Sequence, residues 1–163
     1  MKYKLLALLL LAFMAIQCKQ KEVKGDFSFA KKETPKLIKA STTINLATKG
    51  IGPIDSISLD EEIDQAMASQ GKEIYEQKCN ACHKVGSTYI GPPPNGILER
   101  RSPEWVMNMI LNPGEMVEKD SLAKALFMEF NGQMMTNQNV TVEEARAMLE
   151  YFRTLEKLNA SSD

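Results

Sequence analysis

The sequence predicts a small all-α domain of about four to five short helices, and three observations support this fold class. Residues 58–159 contain several helix-start signals. Their apolar residues recur at helical spacing, and no segment shows the strict alternation of a half-buried strand. Glycine, proline and asparagine pairs divide the region into short pieces. About a hundred residues in short helices form a small core, and a large buried prosthetic group would supply the missing apolar interior.

Composition places the chain among soluble globular proteins and excludes several kinds of site. The 163 residues are 44% apolar and 25% charged, which fits one domain with appendages. The formal net charge of −1 argues against a nucleic-acid-binding protein with an overall basic surface. Because the chain has one histidine, bis-histidine haem ligation, a three-histidine zinc site and a histidine-rich copper centre are excluded.

The first residues predict an export signal that ends before Cys18. Lys2 and Lys4 precede an unbroken apolar run over residues 5–16. Twelve helical residues cover about 18 Å, too little for a bilayer core of about 30 Å, so a cleaved signal over residues 1–17 is favoured over a transmembrane anchor. Cys18 stands where a bacterial lipoprotein signal places its acylated cysteine, although Gln17 replaces the usual small residue. An ordinary signal peptide with an incidental Cys18 is the alternative.

Residues 18–57 predict a basic, flexible tether between this signal and a domain over residues 58–159. Residues 19–40 hold seven lysines and three acids, and residues 41–57 mix Ser, Thr, Gly and Pro with scattered aliphatics. A flexible chain of this length spans roughly 35 Å, which would let the domain sweep over a membrane surface. Whether residues 41–57 pack on the domain is left open. Residues 160–163 form a C-terminal tail.

Start and stop signals predict the helices in order. The capping-box pattern over residues 58–61 predicts a first helix, and Ser102-Pro103 predicts a second that ends at residues 112–114. A third runs from near Asp120 to about Phe130. The capping-box pattern over residues 141–144 starts the last helix. One apolar face of the first helix comprises Ile63, Met67, Gly71, Ile74 and Tyr75. That of the last comprises Ala145, Met148, Leu149, Phe152 and Leu155.

Cys79, Cys82 and His83 form a Cys-x-x-Cys-His motif, which is the attachment motif for c-type haem. Two thiols at this spacing can reach the two vinyl groups of the porphyrin, and the next residue offers an imidazole to the iron. A redox disulfide, half of a zinc site and a structural disulfide are the alternatives. The first lacks a βαβ context, and the second lacks ligands, since Cys18 is the one other cysteine and lies beyond the tether.

The segment around this motif resembles the class I c-type cytochromes. That family has Gly eight residues before the first cysteine and an aromatic residue four before it, and Gly71 and Tyr75 match. The resemblance implies a small cytochrome c fold around one covalently bound haem c. It also implies that Gly71 lets the first and last helices cross closely, with Tyr151 and Phe152 packing against Tyr75.

Residues 90–96 are similar to the Gly-Pro-x-Leu-x-Gly segment of the same family. The resemblance implies that the Pro92 carbonyl accepts the second N–H of the axial imidazole; Pro94 stands where Leu is usual. Arg100 or Arg101 is a candidate partner for a haem propionate, with solvated surface arginines as the alternative. Trp105 is a candidate for the haem pocket, with a core or surface tryptophan as the alternative.

Residues 133–141 resemble the axial-methionine loop of the family. There a Met comes five or six residues before an aliphatic-Ser/Thr helix start, and Met135 stands so before Val140 and Thr141. The resemblance therefore implies Met135 as the sixth iron ligand, with Met134 as second choice. Thr136 replaces the usual Pro.

Together these features predict a periplasmic mono-haem cytochrome that carries single electrons and is itself no enzyme. A quinol-oxidising cytochrome complex is the expected electron donor, and a terminal oxidase or periplasmic reductase is the expected acceptor. The protein is expected to be a monomer that a lipid anchors to either the inner or the outer membrane. Residues 59–159 hold 10 basic and 16 acidic side chains, a formal −6, which favours a basic docking partner. A haem-based gas or ligand sensor with an open sixth site, and a fixed electron-entry subunit of a reductase or oxidase complex, are the alternatives.

Overall fold

The structure is a computed structural model that describes residues 39–160, the last five of them as helix backbone. The predicted signal peptide, Cys18, residues 19–38 and residues 161–163 lie outside the described residues. Within residues 39–160 there is no strand, so the all-α prediction is confirmed, and no helix there combines the length and apolarity that spanning a membrane requires. The α-helices are α1 (Gln65–Lys78), α2 (Ile97–Arg100), α3 (Pro103–Leu111), α4 (Pro113–Lys119), α5 (Ser121–Glu129) and α6 (Val142–Ala160).

Helix α1 begins later than the capping-box pattern at Ser58 predicts, and that prediction is wrong. Asp64 is the N-cap, and its Oδ1 accepts from the Met67 N–H at 2.9 Å. The residues before it are a loop whose carbonyls at positions 60–62 accept from the Arg153 guanidinium at 2.7–3.4 Å. A long-range partner for these carbonyls therefore competes with the helix that Ser58 would have started.

Helix α3 has the predicted start and end, but a helix follows it that the sequence did not predict. The Ser102 hydroxyl accepts from the Trp105 N–H at 3.1 Å, and Asn112 caps the other end. Pro113 stops α3 and opens α4, because a proline at the first helical position needs no N–H partner. This helix and the single turn α2 raise the predicted four to five helices to six in the described chain.

The predicted ends of α5 and the start of α6 are confirmed. Asp120 caps α5 by accepting from the Ala123 N–H at 2.8 Å, and a turn with positive φ at Asn131 and Gly132 follows α5. At α6 the capping box is reciprocal. The Thr141 hydroxyl accepts from the Glu144 N–H at 3.2 Å, and a Glu144 carboxylate oxygen accepts from the Thr141 N–H at 2.9 Å. The predicted apolar face of α6 is buried throughout.

Helices α1 and α6 cross closely at Gly71. A Cβ there would lie 2.8 Å from the Met148 amide nitrogen and closer still to the Ala147 carbonyl, so only glycine fits without a shift. One turn further on, the Tyr75 ring packs against the rings of two residues of α6, with centroid separations of 5.4 Å to Tyr151 and 5.8 Å to Phe152. Helix α1 is thereby fixed where it delivers Cys79.

Residues 39–57, which we call the strap, lie against the helices and correct the predicted domain boundary at residue 58. The Asn108 amide is 1% exposed and donates to the carbonyls of Lys49 and Ile54, both at 2.9 Å, while its oxygen accepts from the Ile54 N–H at 2.9 Å. Ile51, Ile54 and Ile57 pack on the core. A buried amide needs partners, and the strap backbone supplies them, so this part of the predicted tether belongs to the packed unit.

Candidate functional site

A deep cleft opens beside the end of α1. It holds about 1330 Å³ of empty space, including the part open to solvent. Its walls come from α1, α3, α5, α6, the segment that follows Cys82 and the loop that precedes α6. The chemistry-bearing side chains on these walls are Cys79, Cys82, His83, Met134 and Met135, and apolar residues make up most of the rest.

The two cysteines enter this cleft at the point where α1 ends. The Cys79 N–H donates to the Tyr75 carbonyl at 2.9 Å, and the Cys79 carbonyl accepts from the N–H groups of Cys82 and His83, both at 3.0 Å. This tight turn gathers all three motif side chains at one wall. Both thiols are free, and burial raises the pKa of Cys79 to about 11, so its thiol is protonated at neutral pH.

These properties argue against the alternatives to haem attachment. A redox-active Cys-x-x-Cys pair relies on a thiol whose pKa is lowered, whereas burial raises the pKa of Cys79. In the described part of the chain, no group of three or more His, Cys, Asp or Glu side chains is placed to hold a free metal ion. Neither thiol is in a disulfide.

The His83 ring is fixed by the segment that follows it. Its Nδ1 lies 2.8 Å from the Pro92 carbonyl, and a carbonyl only accepts, so Nδ1 carries the proton and Nε2 keeps its lone pair. A Cβ at Gly91 would lie 2.8 Å from Nδ1 and overlap Cε1, so the ring occupies space that only glycine leaves free. The Tyr75 hydroxyl donates to the His83 carbonyl at 2.6 Å, and burial raises the pKa of Tyr75 well above its usual value, which keeps this donor protonated.

The two candidate methionines differ in burial. Met135 is half-buried and packs against the core, whereas the Met134 side chain is 43% exposed. Both line the cleft. Burial and core contact therefore favour Met135 over Met134 as the sulfur that the fold holds in place.

Arg101 is a buried side chain that also lines the cleft. Arg101 is 3% exposed, so the solvated-arginine alternative is wrong for it. Its guanidinium donates to the strap carbonyls of Ala40, at 2.5 Å, and Thr43, and lies 5.2 Å from the centroid of the Trp105 ring. Burial and the neighbouring Arg100 charge lower its pKa from the ordinary arginine value.

Trp105 is a core residue that also lines the cleft, so both sequence interpretations apply to it. The indole N–H donates to Asp120 at 3.2 Å. Arg100 is half-buried and donates to the Asn95 carbonyl at 3.0 Å. The sequence does not indicate Ser41, which lines the cleft from the strap, because its polar neighbours look like a linker. The one signal is that two polar side chains of the domain, Arg101 and Asn108, are buried and find their hydrogen-bond partners in the strap.

The donor set of the cleft fits a covalently held haem. Two thiols at the attachment spacing, an imidazole whose Nε2 is free to ligate and a half-buried thioether share one largely apolar cavity. Cys79 and Cys82 would hold the group covalently, and His83 and Met135 are the candidate side chains for binding its iron.

Comparison with known proteins agrees with this chemistry. A protein-family model described as cytochrome c matches residues 68–156, more than half of the chain. The chain belongs to the cytochrome c family. A solved cytochrome c from Rhodothermus marinus is 39% identical, with a TM-score of 0.64 over 66% of this chain and 91% of that one. No curated protein matches the chain in sequence.

Two engineered forms of the Rhodothermus marinus protein are also similar. One is 39% identical, with a TM-score of 0.63, over 65% of this chain and 91% of that one. The other, described as bound to a carbene intermediate, is 38% identical, with a TM-score of 0.60 and the same coverage. The cytochrome is therefore a haem c electron-transfer protein with the small all-α fold of its family.

Proposed function

We propose that this cytochrome is an exported, lipid-anchored, mono-haem carrier of single electrons with His83 and Met135 as axial ligands. The observation that carries the proposal is the fixed His83 ring, with Nδ1 on Pro92 and Nε2 free, in the same cleft as the half-buried Met135. The bound haem supplies reversible one-electron storage at its iron. A methionine sulfur in the sixth position raises the reduction potential relative to a second imidazole.

The other residues of the site orient and shield. Pro92 fixes the tautomer and the plane of the imidazole, so that Nε2 is the only ring nitrogen left to ligate. The Tyr75 hydroxyl holds the backbone of His83. The apolar walls exclude water, and a covalent attachment prevents loss of the group outside the cell.

The sequence supports the location and the partners. The export signal over residues 1–17 and Cys18 favour a periplasmic protein held to a membrane by lipid, and the acidic domain favours basic docking faces on its donor and acceptor. A quinol-oxidising complex and a terminal oxidase or periplasmic reductase fit these features. We also propose that the protein functions as a monomer.

A redox titration of the exported, full-length protein tests this proposal. We expect one reversible one-electron transition and haem that stays with the chain on a denaturing gel. Haem that is fully extracted, or an absorbance that does not change on reduction, would refute it.

The anchor is tested separately: Cys18→Ser should move the protein from the membrane to the soluble fraction, and continued sedimentation with an uncleaved N-terminus would show that the signal itself is the anchor.

One observation favours a gas or ligand sensor as a second candidate. Residues 136–139, in the loop that carries Met135, are exposed, and Thr136 stands where the family usually has Pro. Without the proline, the backbone of this loop is less restricted, so the methionine would leave the sixth position more readily. Rapid carbon monoxide binding by the reduced wild-type protein would place the sensor ahead of the carrier.

A further inference from the structure

The methionine loop, residues 130–141, has little internal structure to hold it in place. Most of its hydrogen bonds join residues two or three positions apart, as from the Asn139 N–H to the Asn137 side chain at 2.8 Å. One long-range bond, from the Asn137 amide to the Leu111 carbonyl, is 3.3 Å long and exposed. Residues 131–134 and 136–139 are largely exposed. Apart from the packing of Met135 on the core, the position of this loop therefore depends on how its two ends are held.

The far end of the loop is held by an ion pair. Lys78 of α1 donates to the Glu144 carboxylate at 2.8 and 3.0 Å, and the same carboxylate accepts from the Thr141 N–H at 2.9 Å. The start of α6 is thus tied to the residue that precedes Cys79. This contact joins two elements that both belong to the region matched by the family model.

The near end is held by the strap. Glu129 is the last residue of α5, and its two carboxylate oxygens accept from Ser41: one from the backbone N–H at 2.8 Å and one from the hydroxyl at 2.6 Å. Five residues lie between Glu129 and Met135, and this intervening chain turns sharply at Asn131 and Gly132. A displacement of the end of α5 would therefore be passed directly to the loop.

Ser41 is itself fixed on both sides. The Arg101 guanidinium binds the carbonyls of Ala40 and Thr43, which flank Ser41 closely, and the Asn45 N–H donates to the Arg100 carbonyl at 2.8 Å. Because Arg101 is buried, these bonds are shielded from competing water. The backbone N–H and the hydroxyl of Ser41 are thus two donors held in fixed positions, and together they position the Glu129 carboxylate.

We propose that Ser41 and Glu129 are positioning residues that latch the methionine loop, so that the N-terminal strap keeps the sixth coordination position of the haem iron closed. The proposal rests on the proposed function, since it takes Met135 as the sixth ligand. The strap lies outside the region matched by the family model, residues 68–156. It also links the ligand loop to the segment through which the domain continues toward Cys18.

The test uses the full-length holoprotein with Glu129→Ala and Ser41→Ala. The control is Glu118→Ala, which removes the same charge from an exposed position of α4. Three quantities are measured: the rate of carbon monoxide binding to the reduced protein, the weak far-red absorption of the sulfur–iron bond in the oxidised protein, and the midpoint of thermal unfolding. We expect Glu129→Ala to speed carbon monoxide binding about tenfold, which corresponds to about 1.4 kcal/mol of latch stabilisation.

Ser41→Ala should have a smaller effect in the same direction, because the backbone N–H still donates to Glu129, and Glu118→Ala should have none. A lower unfolding midpoint in Glu129→Ala with an unchanged carbon monoxide rate and far-red band would overturn the proposal, because the latch would then only brace the fold. Met135→Ala separates the two assignments. If it opens the iron and Glu129→Ala does not, the ligand assignment stands and the latch fails; if neither does, both fail.

Discussion

The segment that holds His83 and the loop that carries Met135 are built in contrasting ways. The His83 ring is confined by the Pro92 carbonyl and by the absence of a side chain at Gly91, both within nine residues. The methionine loop depends on two distant contacts, Ser41 with Glu129 and Lys78 with Glu144. The sequence pattern therefore indicates both candidate ligands, but the contacts that hold the methionine loop are visible only in the fold.

The largest expected effect comes from removing His83, the candidate ligand that is held by nearby sequence. His83→Ala removes the imidazole while the loop and its latch stay intact, so we expect no normally matured holoprotein. Haem staining of a denaturing gel, with immunodetection of the chain, measures the ratio of haem to protein. Lys84→Ala, at the next position, is the matched control and should keep wild-type haem content. Normal haem content and a normal spectrum in His83→Ala would contradict the assignment of the proximal ligand.

The second effect sharpens the difference between the two methionines. Met135→Ala should abolish the far-red band, lower the reduction potential and open the reduced iron to carbon monoxide, because the half-buried sulfur is lost. Met134→Ala should cause only a small packing loss, since that side chain is 43% exposed. If Met134→Ala alone produces these changes, the register of the loop is shifted by one residue.

A third effect tests how tightly the His83 side is packed. Gly91→Ala places a methyl group against the imidazole and should cost about 1–3 kcal/mol as overpacking, with a changed spectrum because the ring must move. Gly114→Ala is the control, because a Cβ there meets nothing within 4 Å. The free energy of unfolding from denaturant titration and the visible spectrum are the measurements. Equal stability and identical spectra for the two variants would show that the ring is not confined as the structure indicates.

The smallest effect concerns the ion pair between Lys78 and Glu144 at the far end of the methionine loop. Hydrogen bonds from Lys78 and from the Thr141 N–H lower the pKa of Glu144, so the stabilisation is present above the unfolded value of about 4.3 and is lost as the pH falls through the lower folded value. Wild type should therefore lose stability in acid more steeply than Glu144→Gln, as measured by thermal midpoints between about pH 3 and 6. Parallel curves for the two proteins would contradict this linkage.

The same contrast explains what the sequence predicted. The caps at Ser102, Asp120 and Thr141 act within one helical turn, and the structure confirms all three. The start of α1 was missed because Arg153, about ninety residues away, binds the carbonyls of the loop before it. Local hydrogen bonds leave a trace in residue spacing, and distant ones leave none.

The sequence of the strap looks like a tether for a related reason. Many of its contacts use backbone atoms, such as the carbonyls of Ala40 and Lys49, which composition does not reveal. The type and position of Arg101 make it a candidate partner for a propionate, and the structure shows its guanidinium donating to two strap carbonyls. Polar side chains buried on a helix face, as with Arg101 and Asn108, are the signal that a further segment packs there.

The central claim is that the iron is held by one locally fixed imidazole and one sulfur held by the fold. The visible spectrum of the exported wild-type protein tests it most directly, recorded oxidised, reduced, and reduced under carbon monoxide. The account predicts a weak far-red band in the oxidised form that is lost on reduction, and a reduced spectrum that carbon monoxide changes only slowly. An oxidised spectrum without that band, together with immediate carbon monoxide binding, would contradict it.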